Sequence, residues 1–433
     1  MRDFNKRNLK RCETFSKGKS YDFEEKNMKR FKISALIVIM LIALTFSVQA
    51  GKPGQVLPGI DVLEEIEFAP VKGKKVGLIT NHTGITRNGH SSIDVLFNTD
   101  KCDLVALFSP EHGIRGTSDE HVASGKDEKT GLPVNSLYGK TKKPSPEMLK
   151  GLDVLIFDIQ DIGTRFYTYI GTMSLAMEAA KENDLKFVVL DRPNPVGGHK
   201  VEGAVADKDL CGGNTCIHPI PTRHGMTVGE LAKLFNEEFG IGCDLEVIPC
   251  KNWERDMYYD KTGLLWVHPS PNMKTINGAI LYPGLGIAET TRLSCGRGTD
   301  RPFEMYGAPY VEKWELFENL SKRDIPGIRF VPHSFIPTAK YHKFKGELCH
   351  GVFAIIYDRE ALNSVIAGLH MIQAFHETNP EEHQELGGFK TETGDRDTWS
   401  MLTEKKMKPE EIVKKWEKEA KDFMKTRKKY LIY

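Results

Sequence analysis

Glu111 follows an apolar run directly, stands between Pro110 and His112, and precedes Gly113 and Gly116. A carboxyl group at the end of a buried strand is held on a rigid element, which suits a general acid that must meet a leaving oxygen at a fixed point. A second cluster, Asp158 to Tyr169 (D-I-Q-D-I-G-T-R-F-Y-T-Y), packs Asp158, Gln160, Asp161, Arg165, Tyr167 and Tyr169 into a short stretch. Carboxylate and amide oxygens bind hydroxyls while aromatic rings stack on the apolar face of a pyranose, so the mixture fits a sugar site. If the segment is extended, Tyr167 and Tyr169 share one face, and only that face lines a pocket.

Other groups join these. Asn81 and His82 follow the run Lys75 to Thr80. Asp191-Arg192-Pro193-Asn194-Pro195 is a rigid turn, because its two prolines fix φ and bar helix at the residues before them; Glu202 comes soon after, in V-E-G-A-V. In the second half, G-L-G-I-A-E runs into C-G-R-G-T. Glycine-flanked turns would let Glu289 and Arg297 approach a ligand closely, with Arg297 free to pair with an anionic group.

Several chemistries are set aside. No G-x-G-x-x-G follows the first strand and no G-x-S-x-G is present, which removes dehydrogenase, P-loop and serine-hydrolase readings. Metal-dependent hydrolysis through His82, His112 and nearby aspartates ranks lowest, since no C-x-x-C pair or His-x-x-x-His helix completes a ligand set. No metal and no cofactor is expected.

The elements that position these residues read as a repeated phrase. Lys75 to Thr80, Asp103 to Phe108, Val154 to Phe157 and Phe187 to Leu190 are short runs rich in Val, Ile, Leu and Phe, each followed at once by a polar cluster. Continuous apolar runs of this length read as strands buried on both faces, the habit of parallel sheets. Ile170 to Glu182 reads as a crossover helix, so the expectation is an α/β fold with an open, mostly parallel, Rossmann-like sheet over about residues 55–240. Ligands of such sheets bind beyond the carboxyl ends of the strands, where all four polar clusters fall. Thr227-x-x-Glu230 has capping-box spacing and opens a helix over Leu231 to Phe239, and Leu245 to Ile248 reads as a strand. From about Lys251 the chain turns to longer polar loops and isolated strands such as Gly351 to Tyr357. Pro409 to Lys425 is an amphipathic helix with Ile412, Val413, Trp416, Ala420 and Phe423 on one face. The expected domains are 51–245, Rossmann-like, and 246–433, a smaller α+β domain.

Composition then sets the compartment. The chain has 433 residues with 60 Lys plus Arg against 59 Asp plus Glu. Ile33 to Val48 is an apolar run too short for a comfortable membrane span; Lys29, Arg30 and Lys32 precede it, and Val48-Gln49-Ala50 closes it with small residues at the positions a signal peptidase reads. Residues 1–50 are therefore expected to be an N-terminal extension and signal peptide, cleaved after Ala50, with an uncleaved anchor as the alternative. Met28 stands where the signal's initiator belongs, which makes 1–27 an upstream extension. No Cys follows the run, which argues against a lipoprotein. The expected location is secreted or periplasmic, without stable membrane insertion. Loss of 1–50 removes 11 basic and 5 acidic residues, leaving 49 against 54, about −5. Bulk charge gives nucleic-acid binding no support. Of eight cysteines, Cys12 lies in this leader, and Cys211/Cys216 and Cys243/Cys250 are each near enough in sequence to close small loops.

The motifs N-H-T-G, S-P-E-H-G-I-R-G, D-I-Q-D-I-G-T-R-F-Y-T-Y, L-D-R-P-N-P-V-G-G, V-E-G-A-V and C-G-R-G-T together resemble the exo-β-N-acetylmuramidase family of bacterial cell-wall recycling glycosidases, over about residues 55–433. The resemblance implies hydrolysis of terminal β-1,4-linked N-acetylmuramic acid from the non-reducing end of peptidoglycan fragments, saccharide or muropeptide, in a cleft between the two domains. It places the family's E-H-G glutamate on Glu111 as general acid. Glu289 matches a second-half glutamate but is followed by Thr290-Thr291-Arg292 where Gly-Thr-Asn is expected, and Glu202 competes with it as the partner carboxylate. The lactyl carboxylate of muramic acid calls for an arginine, with Arg165, Arg192 and Arg297 as candidates. Asn81, His82, His112, Arg115, Asp158, Gln160, Asp161, Tyr167, Tyr169 and Asn194 complete the expected substrate-binding set. From a different class comes a secreted carbohydrate- or muropeptide-binding protein without turnover.

Overall fold

The computed structural model describes residues 54–433 except 112, 115–124, 140 and 341. The apolar run Ile33 to Val48, the cleavage position at Ala50 and the site residues His112 and Arg115 lie outside the described residues. The first strands are β1 (Lys75–Thr80), β2 (Asp103–Ser109), β3 (Gly125–Lys126), β4 (Pro133–Ser136), β5 (Val154–Asp158) and β6 (Lys186–Leu190), and in β1, β5 and β6 side chains alternate between two cores. Val76, Leu78, Val154, Ile156, Val188 and Leu190 enter one, together with the helices Gly59–Glu65 and Ser92–Asn98. Ile79, Leu155, Phe157, Phe187 and Val189 enter the other, against the helices Tyr169–Glu182 and Val228–Glu238. Burial on both faces is why these strands read as unbroken apolar runs.

β7 (Glu202–Val205) and β8 (Pro221–Arg223) form a separate antiparallel ribbon, and β9 (Asp244–Ile248) returns to the main sheet. The sheet order is β3-β4-β2-β1-β5-β6-β9, parallel except for β3. The chain therefore builds outward from β1 through β2, then comes back to place β5 on the other side of β1. Thr80 and Asp158 are register partners at that reversal, which opens a crevice at the carboxyl ends. The capping box forms as its spacing requires, with Thr227 and Glu230 each closing on the other's backbone.

The residues after β9 carry a three-stranded antiparallel sheet of β10 (Met305–Ala308), β11 (Ile328–Phe335) and β12 (Cys349–Ile356), in the order β10-β12-β11. The helix Lys313–Ser321 packs on it, and Ser364–Thr378 packs against that helix. The helix Ile276–Leu285 crosses Ser364–Thr378 with the two backbones in contact: a Cβ at Gly284 would stand 1.7 Å from the Ser364 carbonyl oxygen, and one at Gly368 would stand 2.3 Å from Gly284. Glycine at both positions is what permits the crossing, and the crossing fixes the 3-10 turn Gly286–Thr290 that follows.

Gln55–Tyr433 forms one compact unit. The boundary expected at 245/246 falls inside β9, because that strand pairs with β6 and completes the main sheet. The terminal helix spans Pro409–Arg427 and buries Ile412, Trp416 and Phe423, with Val413 and Ala420 half-buried. No helix among the described residues is long and apolar enough to cross a membrane. All cysteines in the described residues are free thiols. Cys211 and Cys216 lie with their Sγ atoms 3.6 Å apart. Cys243 and Cys250 flank the extended β9, which separates them by about 20 Å at the usual rise per residue and prevents a loop closure between them.

Candidate active site

Beyond the carboxyl ends of the strands a cavity of about 200 Å3 is lined by Glu111, Thr168, Tyr167, Tyr169, Thr215, Ser270, Tyr282, Glu289, Arg297 and Glu392, with Phe166, Met273 and Phe303. Three carboxyl groups, one guanidinium and an aromatic floor therefore share one space. Glu111 comes two residues after β2, and its Oε2 accepts a hydrogen bond from Thr168 Oγ1 at 2.7 Å. Thr168 is the residue from which the helix Tyr169–Glu182 starts, so the carboxylate is tied to two elements of the main sheet layer.

The segment 158–169 is not extended. It leaves β5 as a loop, turns, and enters a helix at Tyr169, so Tyr167 and Tyr169 meet edge to face with ring centroids 5.0 Å apart and both line the cavity. Tyr282 adds a third ring, 6.1 Å from Tyr167 and edge-on to it. Tyr169 donates to the Pro269 carbonyl at 2.5 Å and accepts from Asn81 Nδ2 at 3.0 Å, which places Asn81 as a buttress under the aromatic wall.

Glu289 sits on the 3-10 turn and receives Arg297 as a two-pronged pair, Nε on Oε1 and Nη2 on Oε2 at 2.6 Å. Burial works to raise the Glu289 carboxyl, but the charge and hydrogen bonds of Arg297 outweigh it and hold the group below its ordinary value. Arg297 also lies over the Phe303 ring, 5.1 Å from its centroid. Lys343 Nζ donates to the carbonyls of Glu289 and Thr291, each at 2.6 Å, and so clamps the turn. The motif departure at Thr290-Thr291 is absorbed locally: both hydroxyls cap the turn, on the carbonyls of Ile287 and Ala288.

Glu392 is a pocket residue that the sequence reading missed. It lies on the short helix Phe389–Thr393, bracketed by Gly388 and Gly394 in left-handed conformations. Its Oε2 is buried without a hydrogen-bond partner. Burial pushes its carboxyl well above the ordinary range, and the neighbouring Glu289 charge pushes the same way. Charge and burial thus push two carboxyls of one pocket in opposite directions, Glu289 toward the ionised form and Glu392 toward the acid. A glycine-bracketed glutamate is the same signal that pointed to Glu289, and it was present here in G-G-F-K-T-E-T-G.

Several expected site residues stand outside the cavity, each hydrogen-bonded or ion-paired to other parts of the protein. Glu202 accepts from Arg223 Nη1 at 2.7 Å and from the Ser364 N–H and hydroxyl, so it ties the β7–β8 ribbon to the helix Ser364–Thr378 and does not face Glu111 in the pocket. Arg165 is fully buried and donates to four carbonyls, of Ala204, Ile220, Thr391 and Glu392. Arg192 pairs with Asp158 through Nε at 2.6 Å and Nη2 at 2.9 Å, and Ser92 closes on the same carboxylate. Gln160 donates to the carbonyls of Asp161 and Pro193, Asp161 accepts from the Gly163 N–H, and Asn194 holds Val196 and Met226. His82 Nε2 donates to the His268 carbonyl at 2.6 Å. Of the three arginines proposed to read a lactyl carboxylate, only Arg297 lines the cavity. Among the described residues no group of three or more His, Cys, Asp or Glu side chains is placed to hold a metal ion.

Models of the N-terminal and C-terminal parts of the exo-β-N-acetylmuramidase NamZ match residues 76–277 and 280–433. The peptidoglycan β-N-acetylmuramidase NamZ of Bacillus subtilis (strain 168) is 48% identical over 389 residues, covering 89% of this chain and 93% of that protein. Two crystal structures of DUF1343 family proteins from Bacteroides fragilis NCTC 9343 are similar in fold. One has a TM-score of 0.81 at 39% identity and the other 0.72 at 32%, each covering 88% of this chain and 99% of its own.

Proposed function

The chain belongs to the exo-β-N-acetylmuramidase NamZ family of glycoside hydrolases, and from that premise we propose that it releases terminal, non-reducing β-1,4-linked N-acetylmuramic acid from peptidoglycan fragments. The observation that carries this reading is the meeting of Glu111 and Glu289 in one aromatic-walled cavity. Glu111 is the group we assign to proton exchange with the leaving oxygen: it stands at the sheet edge, and Thr168 orients it. Glu289, kept ionised by Arg297, is the second carboxylate, placed to stabilise the positive charge that develops at the anomeric carbon or to orient the sugar's acetamido group. The rings of Tyr167, Tyr169 and Tyr282 supply the apolar surface on which a pyranose stacks.

We infer in addition that the enzyme acts outside the cytoplasm, because Ile33 to Val48, its basic flank and the small residues before Gly51 have the makeup of a secretory signal. The test of activity is incubation with a chromogenic N-acetylmuramic acid glycoside. Wild-type protein should release the chromophore, and E111Q should bind the sugar yet lose hydrolysis by about 100-fold or more. Binding without release in the wild type would favour a carbohydrate-binding protein over a hydrolase.

A further inference from the structure

Neither Arg297 nor Lys343 is uncommitted at the Glu289 end of the cavity. Arg297 is neutralised by a two-pronged carboxylate, and Lys343 is spent on two carbonyls. A sugar bearing its own carboxylate would enter a space already lined by Glu111 and Glu289. A third ionised carboxylate there would repel it, whereas a carboxylic acid offers an O–H to an anionic acceptor, one of the stronger kinds of hydrogen bond. Glu392 is built into this end with its backbone fixed: Arg165 Nη2 holds the Glu392 carbonyl at 2.6 Å and the Thr391 carbonyl at 3.0 Å. Its buried Oε2 has no protein partner.

We propose that Glu392 is a specificity-determining residue, whose carboxyl group, beside the Glu289–Arg297 pair, donates the hydrogen bond that meets an anionic substituent of the bound sugar. This rests on the assignment of the cavity to a muramic acid sugar and names the group that distinguishes it from plain N-acetylglucosamine. Burial and the Glu289 charge push Glu392 toward the acid form, the form that can donate, against the opposing charges of Arg297, Lys343 and Arg165. The other groups acting on it are Glu289, Arg297, Lys343, Arg165, Tyr282 and Cys295. Glu289 is held low by Arg297, while burial raises Tyr282 and Cys295, so these three keep their charge states as Glu392 titrates. The donor exists below the Glu392 pKa and is lost as pH rises through it, so affinity for an anionic sugar should fall on that limb.

The experiment is calorimetric titration of the full chain and of E392Q and E392A with N-acetylmuramic acid and with N-acetylglucosamine, from mildly acidic to mildly alkaline pH. Loss of a hydrogen bond to a charged group predicts about a tenfold or greater loss of N-acetylmuramic acid affinity in E392A, with N-acetylglucosamine changed by less than about threefold. E392Q keeps an N–H donor and cannot ionise, so it should retain binding and lose the alkaline decline. Equal losses for the two sugars in E392A, or an alkaline decline that persists in E392Q, would overturn the proposal while leaving the saccharide reading intact. Unchanged binding of both sugars combined with lost hydrolysis in E392Q would also overturn it, by making Glu392 a proton donor in the reaction. If the wild type binds neither sugar, the saccharide reading itself fails, and this proposal with it. Thermal melts of both variants check that the short helix still folds.

Discussion

Arg297 Nη2 stands 2.6 Å from Glu289 Oε2 while its Nε takes the other oxygen of the same carboxylate, so the cation of the pocket is dedicated to keeping one acid ionised. Its removal would leave burial to raise Glu289 unopposed by its strongest counter-charge. R297A should therefore lose about 100-fold in kcat/KM. The acid limb of its pH–rate profile should move to higher pH, because a carboxylate held low by a partner is lost by protonation earlier once that partner is gone. R297K, which keeps charge without the planar fork, should fall between. An unmoved acid limb in R297A would mean that Glu289 ionisation does not limit the reaction.

Arg165 makes a different prediction. It is fully buried and donates to four carbonyls from two distant parts of the chain. R165A strands those acceptors and should cost at least about 3 kcal/mol in unfolding free energy. Denaturant unfolding measures this.

Asp161 supplies a pH test of stability. Burial raises its carboxyl to about 7 from the ordinary 3.8, and its Oδ1 has no partner. A folded-state pKa above the unfolded one means that the native state binds the proton more tightly. Stability should therefore decline as pH rises from about 4 through about 7 and then level off. D161N, neutral throughout, should match the wild type in acid and exceed it in Tm at pH 8.

The thiols of Cys211 and Cys216 are placed to react with one another. Their sulfurs are 3.6 Å apart, and the hydrogen bond from Cys211 together with the nearby Arg165 charge favours the Cys216 thiolate. Exposure to a small-molecule disulfide should oxidise the pair by exchange, releasing two equivalents of thiol and removing two hydrogens from the peptide that spans both residues. Closing so short a loop should add about 2 kcal/mol of stability, which C211S would not gain. Mass spectrometry after alkylation, with both cysteines found alkylated, would refute it.

The strands were legible because Val154 to Phe157 and Phe187 to Leu190 are buried on both faces, a condition that forces an unbroken apolar run. Glu111 was legible because it ends such a run, and Glu289 and Arg297 because glycines flank them. Arg165 and Glu202 misled because a charged residue near a binding edge looks alike in sequence whether it meets substrate or structure. The partners that settle the matter are remote: Arg165 reaches Thr391 and Glu392, and Glu202 reaches Ser364. Tyr167 and Tyr169 both line the cavity although the segment is not extended. The helix begins at Tyr169 and turns both rings into one wall. Glu392 carried no periodicity to announce it, only its bracketing glycines.

The backbone contact of Gly284 with Gly368 bears on the order in which this protein comes into being. A nascent chain that has completed the main sheet through Ile248 possesses Glu111 and two of the three tyrosines, but no second carboxylate and no guanidinium. The turn bearing Glu289 is positioned only after Ser364–Thr378 has emerged to cross it, and Glu392 emerges later still. The pocket is therefore completed late in biosynthesis, and a chain truncated before Glu392 lacks part of its lining.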